Sequence, residues 1–385
     1  MGESTTNGCL ICAGPGSGID CTCITRRVRL LVMALIERGD MDTPAARPAT
    51  PTAQKPSSPQ FEFDPSWPKP LPEGWIGGQL GCVHVDHNDR IWVVNRGDIT
   101  KEEQETCIRA PAVMIFDRDG KLIGSWGDWE LLPTTIHSCA VDKENNVWIS
   151  ANGDGMVQKY TSDGKLLVQI GTKGRFDSED GTRRTKFLNS GRDTLHMPAG
   201  IACDPENGDV YFADGYGNRR VVVFDKNGRY LRQWGRQATP EEMEAGVGGA
   251  FAEVVHSVAI GNNGLVYVGD RQGDRVQVFD KMGNFKRNIW IRTGTPALPD
   301  KRGTAWWTAF SPDDQQKYLY VMNGRNEQVH ILDHASGTIL SSFGRPGHQL
   351  GSFTHGHSVA VDSRGNIYVA ETNWGRRVHR FNLVQ

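Results

Sequence analysis

Residues 254–280 read VVHSVAIGNNGLVYVGDRQGDRVQVFD. Three short apolar runs, VVHSVAI, LVYVGD and VQVFD, are separated by GNNG and RQGD, whose Gly, Asn and Asp residues favour tight turns. Each run has the length of a strand rather than a helix, and the first opens on a histidine. Close copies of that opening stand far away in the chain, HSCAVD at 137 and HSVAVD at 357.

Extending the comparison gives six copies of one unit. Their first strands begin GCVHVD at 81, HSCAVD at 137, AGIACD at 199, HSVAIG at 256, WTAFSP at 307 and HSVAVD at 357, spaced by 56, 62, 57, 51 and 50 residues. Second strands follow as IWVVNR, NVWISA, DVYFAD, LVYVGD, YLYVMN and NIYVAE, and third strands as VMIFD, MVQKY, VVVFD, VQVFD, VHILD and VHRFN. Four short strands repeated six times predict an all-β fold, a six-bladed β-propeller with four-stranded blades. The repeat resembles the NHL type. The sixth copy stops at FNLVQ, without room for a fourth strand, and an open ring would expose its edges. FEFDPSW at 61–67 is expected to supply that strand and close the ring.

The composition excludes some classes of function. Lys and Arg number 43 against 45 Asp and Glu, a formal charge of -2, and no basic run is interleaved with aromatics, which argues against nucleic acid. Residues 1–60 read as a disordered or targeting extension ending in a Pro/Ala/Ser/Thr linker, and 61–385 as the catalytic propeller. The apolar run at 30–36 is too short to span a bilayer. Four cysteines, Cys9, Cys12, Cys21 and Cys23, lie in the extension at a spacing that matches no zinc-ribbon pattern. Cys82, Cys107, Cys139 and Cys203 are scattered through the body and read as small buried apolar residues. These features predict a cytoplasmic monomer, or a secreted or periplasmic one if the basic–apolar stretch is a signal.

Aligned on their first position, the six copies read Gly81, His137, Ala199, His256, Trp307 and His357. In a propeller the first strand of each blade lines the central channel. Histidines on alternate blades therefore converge on the axis from three directions and leave one position open. Three nitrogen ligands with an open site suit catalytic zinc, and imidazole also suits other divalent transition metals. The loops after the second strands open on the same face. They contribute Arg96, Asn152, Tyr216, Arg271, Asn323 and Asn373, of which Arg96 and Arg271 suit a carboxylate and Tyr216 suits a base. His196 and His355 stand near the entries but out of register, as substrate contacts or caps. Asp86, Asp142, Asp204 and Asp362, and the pair Asp214 and Asp270, recur too regularly for catalysis and read as turn-fixing residues.

With these motifs in place, residues 68–385 resemble the peptidyl-α-hydroxyglycine α-amidating lyase family. That resemblance implies zinc on His137, His256 and His357, and catalytic roles for Arg96 in NRGD, Tyr216 in ADGYGN and Arg271 in VGDRQGD. It implies cleavage of a carbinolamide C–N bond in a small or short peptide-like substrate. The family carries a disulfide cysteine after the tyrosine, where this chain has Gly217, and blade-four disulfide cysteines that this chain lacks. Its calcium-binding aspartate is replaced by Ser358, which puts structural calcium in doubt. Trp306 and Trp307 crowd the mouth, so Trp307 is expected to help select the substrate. A metal-dependent hydrolase using metal-bound hydroxide on the same triad is the alternative chemistry, and a non-catalytic scaffold for a protein partner is the alternative class.

Overall fold

The computed structural model describes residues 58–292 and 302–384. The extension, with its four cysteines and its basic–apolar stretch, lies outside the described residues. The described residues include six four-stranded antiparallel sheets arranged as propeller blades, five with their strands in chain order and the sixth completed by a strand from near residue 60. Blade four shows the pattern: Val255–Ile260, Leu265–Asp270, Arg275–Asp280 and Phe285–Trp290. Its second and third strands are almost wholly buried, whereas the fourth is mostly half-buried or exposed. Each inner strand has a neighbouring blade on both faces, which is why these runs are continuously apolar rather than alternating. Interlocked side chains such as Val266, Val268 and Phe279 of blade four pack against Tyr211 and Val223 of blade three.

The last sheet holds Gly356–Val361, Ile367–Glu371 and Val378–Leu383, with Phe61–Phe63 as its fourth strand. Phe61 stands opposite Leu383 and Phe63 opposite Phe381 in antiparallel register. The Phe61 ring lies 5.1 Å from Phe343 and 5.9 Å from Tyr320, and Asp64 pairs with Arg380. Trp67 is buried with its ring 4.9 Å from Tyr368. Deleting residues 1–68 removes all of these contacts and is expected to lower the melting temperature by roughly 10 °C. An unchanged calorimetric melt would mean that the ring does not depend on this strand.

Asp86, Asp142, Asp204 and Asp362 fix turns, whereas the expected turn role fails for Asp214 and Asp270, which pair with buried Arg220 and Arg275 and accept the distant His196 and Ala252 N–H groups. Asp86 Oδ1 accepts the backbone N–H groups of Asn88 and Arg90, and Asp142 and Asp362 do the same for residues two and four further on. The same turns expose an error in the blade-five register. In blades one, two, four and six the sixth residue of the repeat, Asp86, Asp142, Gly261 or Asp362, donates its N–H back across the turn. In blade five that bond comes from Ser311, to the carbonyl of Tyr318. Counting back five places puts Trp306, not Trp307, in the histidine position. The tandem tryptophans and the missing aspartate at 311 leave the sequence without a marker for that one-residue difference.

Candidate functional site

His137, His256 and His357 are each the second residue of a first strand, in Ile136–Val141, Val255–Ile260 and Gly356–Val361. Strand pairing skips a register at each of them, between Ile136 and Ser138, Val255 and Ser257, and Gly356 and Ser358. Each histidine is thus the extra residue of a β-bulge, a device that re-aims one side chain out of the alternating pattern. The result is a near-equilateral triangle, with ring centres 4.7, 4.8 and 4.9 Å apart. One ring nitrogen from each lies within 4.8 Å of the others, and all three residues are buried.

Their hydrogen bonds select the tautomer. His256 Nδ1 is 2.7 Å from the Trp306 carbonyl, and His357 Nδ1 is 2.7 Å from the Gly81 carbonyl. A carbonyl can only accept, so both Nδ1 atoms carry hydrogen and both Nε2 atoms carry a lone pair. Gly81 permits this approach, because a Cβ there would run into the Ile136 carbonyl. His137 breaks the pattern. The equivalent carbonyl in the next blade, that of Ala199, accepts the Ser150 hydroxyl instead, and His137 Nδ1 is buried without a partner. Burial first, then neighbouring cationic groups, holds all three imidazoles well below the ordinary histidine range. Three neutral imidazoles, an orphaned buried Nε2 on His256 and no carboxylate in the group fit a divalent transition metal.

Trp307 is buried with its ring 6.0–6.4 Å from all three histidine rings. It also lines the axial cavity of about 630 Å³ that runs through the first strands, so it floors the triad and separates it from that channel. Trp306 flanks the site, its ring 5.5 Å from His256 and 6.1 Å from His357.

The mouth is built by one repeated backbone contact. Arg96, Asn152, Tyr216, Arg271 and Thr372 each donate an N–H to the residue two places before a blade entry, Gln79, Thr135, Met197, Val254 and His355 respectively. Those residues therefore share one register around the ring. Tyr216 oxygen lies 3.3 Å from His137 Nε2 and accepts from Arg271 Nη1 at 3.2 Å. The Arg271 guanidinium also lies over the Tyr216 and Trp306 rings, at 5.3 and 4.8 Å. Arg96 donates through Nε to the Ile136 carbonyl and through Nη1 to Gln79 Oε1, both at 2.9 Å. Burial lowers its pKa from the ordinary arginine value, against the opposing pull of Tyr216 and Asp98. Asn152 shares the register and has a buried, unpartnered Oδ1.

Other expected contacts fall elsewhere. Asn323 folds onto its own loop, its Oδ1 accepting from the Arg325 and Asn326 backbones and its Nδ2 meeting His330 Nε2 at 2.9 Å. His196 is buried outside the triad, its Nε2 3.1 Å from the Arg183 carbonyl. A Cβ at Gly217 would sit inside the His196 ring, so a cysteine after Tyr216 has no room here. Asn373 packs its amide against His355, 3.1–3.2 Å from the ring nitrogens, and the His355 ring lies 5.2 Å from Trp306. Gln79 was not singled out from the sequence, and Trp306 was read only as crowding the mouth. Gln79 Oε1 accepts from Arg96, from Thr372 Oγ1 at 3.0 Å and from the Asn373 N–H at 3.2 Å, while its own amide donates to Asp98. Trp306 supplies the carbonyl that orients His256. Gln79 stands two places before its blade entry, as His355 does, and carrying the repeat alignment two residues upstream brings both into view.

No family model matches the chain. NHL repeat-containing protein 3 of Mus musculus is 30% identical over 322 residues, spanning 81% of this chain and 82% of that protein. Peptidyl-alpha-hydroxyglycine alpha-amidating lyase 1 of Drosophila melanogaster is 27% identical over 322 residues, 79% of this chain and 55% of that one. Among solved structures, a streptogramin B lyase superposes with a TM-score of 0.52 at 11% identity, covering 84% of this chain and 98% of that chain, a likeness of fold alone.

Proposed function

The chain belongs to the family of NHL repeat-containing protein 3, and from that premise we propose that it is a metal-dependent carbon–nitrogen lyase of the amidating-lyase type. The observation that carries this reading is the Tyr216 hydroxyl, held between His137 of a three-imidazole cluster and the guanidinium of Arg271. The substrate is a small N-acyl-α-hydroxyglycine or a compound of that kind. Its hydroxyl proton leaves, the oxygen electron pair becomes a carbonyl, the C–N bond breaks, and the nitrogen takes a proton. An amide and glyoxylate result, and no water is consumed.

His137, His256 and His357 would hold the ion, zinc by resemblance, which when bound supplies Lewis-acid polarisation of a substrate oxygen. Tyr216, acting as its phenolate, takes the hydroxyl proton and becomes neutral, and Arg271 stabilises the negative charge that the tyrosine oxygen carries before that transfer. Arg96 has Nε and Nη1 engaged within the protein, so Nη2 is the end offered to the substrate carboxylate. Trp307 closes the floor and keeps the reacting atoms from the water of the axial channel.

Two measurements test this. Elemental analysis of protein purified without added metal or chelator is expected to find about one transition-metal ion per chain, and none would favour a scaffold. Turnover in ¹⁸O-labelled water is read in the acyl product, since glyoxylate exchanges its own oxygen. An unlabelled primary amide is expected; a labelled carboxylic acid would make the protein a hydrolase.

A further inference from the structure

A second cavity, of about 490 Å³, opens between the loops of blades five and six. Arg325, Glu327, His348, Phe353, His355 and Trp374 contribute to its walls. It shares a partition with the triad, because His355 packs on Trp306 and Trp306 packs on His256 and His357. Three features of this cavity have no use in the chemistry described so far.

The first is Arg325. Its Nε is buried without a hydrogen-bond partner, and the side chain makes no ion pair among the described residues. Asp274 feels its charge, but the Asp274 carboxylate accepts from Thr304 Oγ1 instead. Arg325 is only half-buried, so the rest of its guanidinium is open to the cavity and can take a ligand's carboxylate there. The second is Trp374, 75% exposed at the rim while Phe353 is fully buried behind. A large exposed aromatic ring beside an apolar wall is a stacking surface. The third is Glu327, whose Oε2 accepts the Gly356 N–H at 2.8 Å and is thereby turned toward the backbone. Burial pushes its carboxyl up to about 7.

We propose that this cavity binds the far end of the substrate, an aromatic or apolar acyl group bearing a carboxylate, with Arg325 taking the carboxylate and Trp374 stacking on the acyl part. As a statement about substrate class this rests on the lyase reading, but binding at the cavity is measurable without turnover. Only the His355 and Trp306 rings stand between the cavity and the triad, so an acyl group extending from an anchored hydroxyglycine would pass over them to reach it.

The test compares N-acetyl-, N-benzoyl- and N-(4-carboxybenzoyl)-α-hydroxyglycine as substrates. The 4-carboxybenzoyl compound is expected to have a KM roughly tenfold below the benzoyl compound, the effect of one charge-assisted hydrogen bond. Arg325→Gln is expected to erase that advantage without changing kcat, and Arg325→Lys to restore part of it. Trp374→Ala is expected to raise KM for both aromatic substrates but not for the acetyl one. Separately, 4-carboxybenzamide is titrated against the protein and the fluorescence of Trp374 is isolated by subtracting the Trp374→Phe variant. Saturable quenching that Arg325→Gln abolishes supports the site even if no substrate turns over, in which case only the lyase reading fails. Turnover with equal KM values for the benzoyl and 4-carboxybenzoyl substrates, and no quenching, overturns the proposal and leaves the lyase reading standing.

Discussion

Replacing Tyr216 with phenylalanine is expected to lower kcat by roughly 10²- to 10⁴-fold, the range for loss of one positioned general base. The ring itself stays in place. It lies 5.3 Å from His137 and 5.7 Å from His256, with the Arg271 guanidinium over its face. Phenylalanine keeps each of those contacts and deletes one oxygen, the atom that meets both His137 Nε2 and Arg271 Nη1. Metal content and melting temperature should therefore match the parent protein, and the loss should appear in kcat rather than KM. A variant keeping more than about a tenth of parental kcat would remove Tyr216 from the proton transfer and favour the hydrolase reading. Arg271→Gln sharpens the test, because it withdraws the donor from the tyrosine oxygen while the phenol remains.

The propeller was legible because its physics repeats. A strand with a blade on either side must be apolar on both faces, and each turn needs a residue such as Asp86 or Asp362 to accept two backbone N–H groups. The triad was legible for a related reason, since three histidines at one repeat position must face one axis. What could not be read was register at the scale of one residue. The bulge that aims His137, His256 and His357 is a property of hydrogen-bond pairing and leaves no compositional mark. The same blindness placed Trp307 where Trp306 belongs. The structure still brings Trp307 to the triad, through a neighbouring position, as its floor. Asn323 was expected at the mouth because it ends a second strand, yet the mouth register begins one residue later, so its side chain is spent on its own loop. Gln79 escaped notice because a neutral amide carries no chemistry of its own. Its importance lies in gathering Arg96, Thr372 and Asn373 onto one oxygen.

Asp270→Ala is expected to destabilise the protein by about 3–5 kcal/mol, because it strands the buried guanidinium of Arg275. Both side chains are fully buried, with Arg275 Nε 2.8 Å from Asp270 Oδ2. The carboxylate also accepts from Gln277 Nε2 at 2.9 Å and, through Oδ1, from the Ala252 N–H at 2.8 Å. That last bond anchors the segment leading into His256, while Arg271 follows Asp270 directly in the chain. Asp214 with Arg220 repeats the device in blade three, and Glu371 with Arg377 in blade six. Asp214 Oδ1 accepts the His196 N–H, and Glu371 accepts the Thr354 N–H, so each acid ties an entry loop to the end of a second strand. In blades four and six the ion pair therefore sets the entry that carries a triad histidine against the loop that carries a mouth residue. Thermal melts of Asp270→Ala should fall by roughly 10 °C. The double variant Asp270→Leu with Arg275→Met should regain most of that loss, since it leaves no buried charge unpaired. If the double variant melts normally but still binds less than one metal ion per chain, the pair acts through alignment of His256. If it recovers both melting and metal, burial of an unpaired charge was the whole effect.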